Sequence, residues 1–273
     1  MFLKIKNCLE ADKIFLLSDN ASLWSKVRYV FEKYLSIALN RKKIRYYDFD
    51  FEYDSRFTPL ILQFYPAEIS FLNKYVNLSK INKILDIGAN VGQWAYTIKS
   101  IYPNIKMISF EPNKIAFNKL KSNALNFDDW VVFNHAVGKG NQKKIFYYPE
   151  NSTLSGSFIK NNANEFDKNV RLKKTKVSVV KLDNGYLKKF NLPNRYDLVK
   201  IDVEGLELEV LESLTDLSFE FLVVEVPMKG ERNVSVDQIN KIIKDRFKKE
   251  PKIVCTSPVG NLGYVADVVY KLT

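Results

Sequence analysis

The sequence predicts an α/β domain, a mostly parallel sheet with helices on both faces, preceded by an N-terminal helical and β appendage. Three observations carry this. From residue 83 onward, apolar runs of strand length alternate with runs of helical periodicity. The first run, Lys83-Ile84-Leu85-Asp86-Ile87, passes into a glycine turn, Gly88-Ala89-Asn90-Val91-Gly92. A second acid, Glu111, stands 19 residues after Gly92, at the expected end of the next strand.

Residues 1–80 read as the appendage and 81–273 as the core domain, with an insertion over 139–192. Leu23, Trp24, Val27, Val30, Phe31, Tyr34, Leu35 and Ala38 recur at helical spacing, so 21–39 is predicted as an amphipathic helix. Its apolar stripe is expected to pack on its own domain; a partner chain or a membrane is the alternative. Asn40-Arg41-Lys42-Lys43 follows it and complements the helix dipole. Alternating aromatic residues over 44–53 predict a strand or hairpin, and 66–77 a helix.

The core strands are predicted at 83–87, 107–111, 131–135, 197–202 and 221–226. Helices are predicted at about 91–101, 113–124 (Asn113 capping) and 204–214. Residues 252–257 and 263–271 close the sheet as an antiparallel pair. Within the insertion, Lys144 to Tyr148 and Val177 to Leu182 are strand-like. The Ser/Asn/Gly-rich stretch Asn151 to Ser157 between them is expected to be an exposed, mobile loop, with a substrate lid as the alternative.

Bulk properties narrow the function. No apolar run approaches the ~20 residues of a membrane span, and Met1 to Lys6 lacks a secretory signal's apolar core. Cys8 and Cys255 make neither a disulfide framework nor a zinc site. A reducing cytoplasm is the simplest location, with peripheral attachment at the inner membrane face as a variant. The net charge of +11 comes from lysines spread along the chain. The densest basic tract, Lys168 to Lys176, is expected to be a solvated loop or strand edge, with an anionic glycan, lipid-linked intermediate or membrane as its functional alternative. No aromatic-interleaved platform points to nucleic acid.

The chemistry should sit at the carboxyl ends of the strands. Those ends carry Asp86, Glu111, Asn134 with His135, Asp202 with Glu204, and Glu225. Gly88 and Gly92 are expected to let the backbone turn tightly and approach a ligand without a Cβ in the way. A carboxylate at Glu111 can accept two ribose hydroxyls. A dinucleotide site needs small residues where Asn90 and Gln93 stand, and no pyrophosphate welcomes Asp86. S-adenosylmethionine, with an ammonium, a sulfonium and no phosphate, fits better. Asp86, Gly88, Asn90, Gly92, Glu111, Asn134 and His135 are the candidate donor-binding residues. Asp202 and Glu204 are candidates for the base that a hydroxyl acceptor requires. Asp202 with Glu225 is a candidate site for a divalent cation.

The segments Asp86 to Gly92, Phe110-Glu111-Pro112, Asn134 to Gly138, Val179 to Asp183 and above all Lys200-Ile201-Asp202-Val203-Glu204-Gly205-Leu206-Glu207 resemble the FkbM-type S-adenosylmethionine-dependent methyltransferases. The resemblance spans about residues 80–226. It implies a class I methyltransferase fold with a seven-stranded sheet, and O-methylation of hydroxyls of surface or signalling glycans or of secondary metabolites; a lipid-linked acceptor is a variant that the basic charge suggests. The rivals are a nucleic-acid methyltransferase using the basic surface and a nicotinamide-dependent oxidoreductase. The turn Asp-Val-Glu-Gly after the fourth core strand, in place of an Asn-Pro-Pro-Tyr-like turn, argues against base N-methylation.

Overall fold

The computed structural model describes residues 12–13, 15–17, 22–55, 57–163, 169–227, 234–257 and 265–273. The readings made on Met1 to Lys6, Cys8, Lys168 and the first residues of the 263–271 strand lie outside the described residues.

The chain begins its labelled elements with helix α1 (Leu23–Ala38), capped by the Ser22 side chain, which accepts from Ser25 N. A hairpin follows, β1 (Lys43–Tyr46) and β2 (Phe49–Glu52), then helices α2 (Thr58–Leu62) and α3 (Tyr65–Val76). The core then runs β3 (Lys83–Ile87), α4 (Gln93–Ile101), β4 (Lys106–Phe110), α5 (Lys114–Ala124) and β5 (Trp130–Phe133). Asn113 caps α5 by accepting from Ile115 N, as expected. The insertion contributes β6 (Ala136–Val137), β7 (Gln142–Pro149), α6 (Lys160–Ala163), β8 (Leu172–Val180) and α7 (Asn184–Lys189). The chain closes with β9 (Arg195–Ile201), α8 (Glu207–Ser213), β10 (Ser218–Pro227), α9 (Val236–Ile242), β11 (Pro251–Ser257) and β12 (Val265–Leu272). Helices α2, α6, α7 and α9 are short and escape the sequence reading.

The main sheet has seven strands in the order β11-β12-β10-β9-β3-β4-β5. Strands β5, β4, β3, β9 and β10 are parallel; β12 runs antiparallel to β10, and β11 pairs antiparallel with β12 at the edge. This is the expected class I arrangement. Strand order reverses at β3 and β9, whose carboxyl ends face a crevice. Alternation splits the sheet's side chains between two cores. Ile84, Met107, Leu198 and Val223 face one core, and Leu85, Ile108, Val199 and Leu222 face the other. The insertion's strands form a separate sheet, β6-β8-β7, with Arg171, Lys173, Lys174 and Lys176 exposed along it. That is the solvated strand edge expected of the basic tract.

Among the described residues the appendage has no separate core. Tyr46 and Phe51 stack around Tyr96 of α4, with ring centroids 5.9 and 4.9 Å away. Asn123 of α5 donates to Glu52 O and Val91 O, both at 2.8 Å, and accepts from Glu52 N at 2.7 Å.

Two expectations are corrected. Helix α1 forms where predicted, but of its apolar stripe Val30 packs against the core while most of the rest faces outward. Leu23, Trp24, Val27, Phe31 and Tyr34 are exposed, while Lys26, Tyr29, Lys33 and Ser36 are buried. Specific partners take the polar face inward. Lys33 Nζ pairs with Asp12 and donates to Gln63 Oε1 (2.9 Å), and Tyr29 OH donates to Pro59 O (2.6 Å). The stretch Asn151 to Ser157 is not an exposed loop. Thr153, Ser155 and Ser157 are buried, because each polar group finds a fixed partner in the crevice.

Candidate active site

The apolar pattern of β3 and β4 buries both strands and brings Asp86 and Glu111 to the crevice at their carboxyl ends. Asp86 is 1% exposed, and its Oδ2 accepts from Ser109 Oγ at 3.0 Å. Ser109 is held in turn by Trp130 Nε1, at 3.0 Å. Asp86 Oδ1 is buried and has no hydrogen-bond partner among the described residues. Burial pushes the Asp86 carboxyl up to about 6, although nearby Lys200 and Ser109 pull it down.

Glu111 is fixed by backbone. Its Oε2 accepts from Asn90 N (2.9 Å) and its Oε1 from Asn113 N (2.6 Å). Burial nevertheless pushes its carboxyl up to about 8, more than the two N–H groups pull it down. Three further turn N–H groups are also committed. Those of Gly88 and Ala89 donate to Phe110 O at 3.0 Å, and that of Gly92 to Ala89 O at 2.8 Å. A pyrophosphate would need such groups free.

Gly88 and Gly92 adopt φ of +91° and +93°. A Cβ on Gly88 would lie 1.7 Å from Asp202 O, and one on Gly92 2.8 Å from Leu120 Cδ1. Protein therefore takes the space that the glycines leave. The tight turn expected of both glycines is present: the Asp202 carbonyl bars a Cβ at Gly88, and the positive φ disfavours one at both positions.

Asn134 lies just past β5 and donates from Nδ2 to Glu111 O (2.9 Å) and Pro112 O (3.0 Å), holding the turn after β4. His135 Nδ1 lies 3.0 Å from Tyr186 OH of α7. Burial, with Lys189 nearby, lowers the imidazole's affinity for protons.

On the other side of the switch point, Asp86 and Lys200 are register partners across β3 and β9. Lys200 Nζ reaches Asp202 Oδ2 at 2.6 Å and lies 5.7 Å from the Trp94 ring centre. Burial works against its charge, but Asp202, Asp267 and Asp86 outweigh burial and raise its pKa well above the usual lysine value. Glu225 on β10 pairs in register with Asp267 on β12. Asp202, Glu204 and Glu225, all half-buried, each bring a carboxylate oxygen to within 4.8 Å of the others. Behind them Glu68 of α3 is buried against Asp267, and burial followed by that carboxylate raises its pKa well above the usual range.

The insertion and the appendage roof this edge. Asn90 Nδ2 donates to Thr153 O at 2.7 Å, and Thr153 N donates to Asp54 Oδ2 at 2.8 Å. Ser157 Oγ (2.7 Å) and Asn162 Nδ2 (2.9 Å) both donate to Glu204 O. Of the residues named from sequence, Asp86, Asn90, Glu111, Asn134 and His135 thus line one half of the edge, and Asp202, Glu204 and Glu225 the other. That reading names Lys200 only within the strand-four segment and Thr153 only within the Asn151 to Ser157 stretch, with no role for either, and Asp54 is missing from it. A lysine inside an apolar strand, two residues from an acid, is the available signal for Lys200. Asp54 and Thr153 carry none, since they meet only in the fold.

A sequence profile described as Methyltransferase FkbM domain matches residues 86–249. "Methyltransferase sdnD" of Sordaria araneosa is 30% identical over 195 residues, covering 62% of this chain and 74% of that protein. "Methyltransferase 1" of Beauveria bassiana is 29% identical over 170 residues, covering 55% of this chain and 68% of that protein. Among solved structures, magnesium protoporphyrin IX methyltransferase (ChlM) from Synechocystis PCC 6803 with bound SAM aligns with a TM-score of 0.49 at 12% identity, covering 90% and 95% of the two chains.

Proposed function

This chain belongs to the FkbM methyltransferase family, and from that premise we propose that it O-methylates a sugar hydroxyl of a glycan or related glycoconjugate. The methyl donor is S-adenosylmethionine. When bound, it supplies a methyl group on a sulfonium that departs as a neutral thioether.

The residues of the donor half fit this ligand. The orphaned, buried Asp86 Oδ1 is costly alone and is relieved by a cationic group. The Glu111 carboxylate is positioned by two backbone N–H groups and keeps lone pairs for ribose hydroxyls. Asn134 and His135 support the far side of this half, His135 through its bond to Tyr186.

The observation that carries the hydroxyl-acceptor reading is Asp202. It ends the strand beside the donor half, is half-exposed, and has one oxygen held by Lys200. Its other oxygen can take the acceptor proton as the hydroxyl oxygen attacks the methyl carbon in line. Glu204 stands close enough to share that role. The Ser/Thr/Asn-rich roof covers part of this edge and is held there by Asn90, Asp54 and the Glu204 carbonyl.

A metal-assisted variant is favoured by one observation, the convergence of Asp202, Glu204 and Glu225 oxygens within 4.8 Å. The residues would hold a divalent cation through oxygen ligands, and the cation would acidify the hydroxyl. Turnover that survives exhaustive chelation removes this variant.

Calorimetric titration with S-adenosylmethionine, S-adenosylhomocysteine and NAD tests the donor site. A screen of glycan acceptors with radiolabelled donor then tests the acceptor. Methyl transfer to free nucleic acid and not to glycans would overturn the proposal.

A further inference from the structure

Helix α1 carries a surface that the methyl-transfer site does not use. At about 100° per residue, Trp24, Val27, Phe31, Tyr34 and Ala38 fall within an arc of about 80°. The buried Lys26, Tyr29, Lys33 and Ser36 occupy a similar arc on nearly the opposite side. The outward arc is strongly solvent-facing, with Trp24 84% exposed, Phe31 68% and Leu23 66%. A contiguous apolar stripe of this kind marks an interaction surface rather than scattered surface hydrophobes.

We infer that α1 docks, lying in the plane of the surface, on a bilayer of anionic phospholipid. Three features select this occupant. The exposed arc is rich in Trp, Phe, Tyr and Leu, side chains that settle at the headgroup boundary. No acid lies on that arc. Arg28 borders it, paired with Glu32 at 3.8 Å but with its side chain 48% exposed, and Arg41, Lys42 and Lys43 follow the helix on the exposed surface. Lys43 pairs with Glu52, but its side chain is still 61% exposed. The whole chain carries +11, which favours an anionic surface over a neutral one. A second copy is the weaker occupant. The 3-4-3-4 spacing of Trp24, Val27, Phe31, Tyr34 and Ala38 spans only about two heptads. Aromatic side chains also stand where a two-stranded seam favours Leu, Ile or Val.

The protein contains its own probe. Trp94 and Trp130 are 4% and 7% exposed, so a change in tryptophan emission on surface binding reports Trp24. The experiment is flotation and fluorescence of the full chain with phosphatidylcholine vesicles, with and without phosphatidylserine. The expected result is co-flotation with the anionic vesicles, weakened by salt, with a blue shift of emission. Trp24→Phe should still float but lose the shift. Phe31→Glu should lower vesicle partitioning about tenfold or more while donor binding and melting temperature hold. Absence of flotation with anionic vesicles overturns the inference, as does flotation unchanged in Phe31→Glu. Sedimentation velocity covers the other occupant: a dimer that Phe31→Glu dissociates, without vesicle binding, assigns the face to a second copy. No reading depends on methyl transfer, so failure here is distinct from failure of the proposed activity.

Discussion

The two halves of the carboxyl edge hold their acids in different ways. Asp86 and Glu111 are 1% and 5% exposed and tied to Ser109 Oγ and to backbone N–H groups. Asp202, Glu204 and Glu225 are half-buried and close together, with Lys200 on one flank. A buried acid fixed by its neighbours presents one unchanging shape, which suits binding. A half-exposed acid beside a cation can exchange a proton with a substrate, which suits reaction. The halves meet where the β3 turn touches the end of β9, so each can be disturbed with the other as its control.

The largest effect is expected where they meet. Gly88→Ala puts a Cβ on the Asp202 carbonyl and strains a positive φ. It should cost about 3 kcal/mol or more, lowering the melting temperature and abolishing donor binding and turnover together. Next, Asp202→Asn should lower turnover by about 10²–10⁴-fold, with the donor Kd from calorimetry nearly unchanged. Equal losses in both would erase the contrast between the halves. Glu111→Ala should do the converse. Losing a charged acceptor costs about 1.5–3 kcal/mol, or roughly 10- to 100-fold in donor Kd.

Protonation sharpens the contrast. The carboxyl of Glu111 in the folded protein is raised from its ordinary 4.5 to about 8. The folded state therefore keeps a proton that the unfolded chain releases, and stability falls as pH rises between those values. Ribose hydroxyls favour the ionised form, so donor binding below pH 8 should expel that proton. Affinity should rise by up to about tenfold per pH unit and level off above pH 8. Titrations in buffers of different ionisation enthalpy would count the proton, and Glu111→Gln should abolish its release. The smallest effect is expected from Asp54→Ala, which removes one of the two anchors of Thr153 and leaves the one to Asn90. Loss of that bond, about 1 kcal/mol, should raise the acceptor KM roughly fivefold and leave donor affinity alone.

The core strands are legible because they are buried on both faces and read as continuous apolar runs. The acids are legible because a polar residue at the end of such a run has little reason to be there except the crevice. Asn113 as a cap and the closing antiparallel pair follow from local chemistry too. The roof is less accessible. Asn151 to Ser157 has the composition of an exposed loop, and only Asp54, Asn90 and the Glu204 carbonyl, distant in sequence, supply the partners that let it be buried.

By itself, then, the sequence determined the alternation of elements, the strand-end acids and the existence of an amphipathic helix near the N-terminus, because each depends on residues within a few positions. Tertiary structure alone decided which face of that helix turned inward. Periodicity defines two faces but cannot assign them. Lys33 and Tyr29 went inward because Asp12, Gln63 and Pro59 stood ready to satisfy them. Tertiary structure also made Gly88 indispensable, since its neighbour is the backbone of a strand more than a hundred residues away.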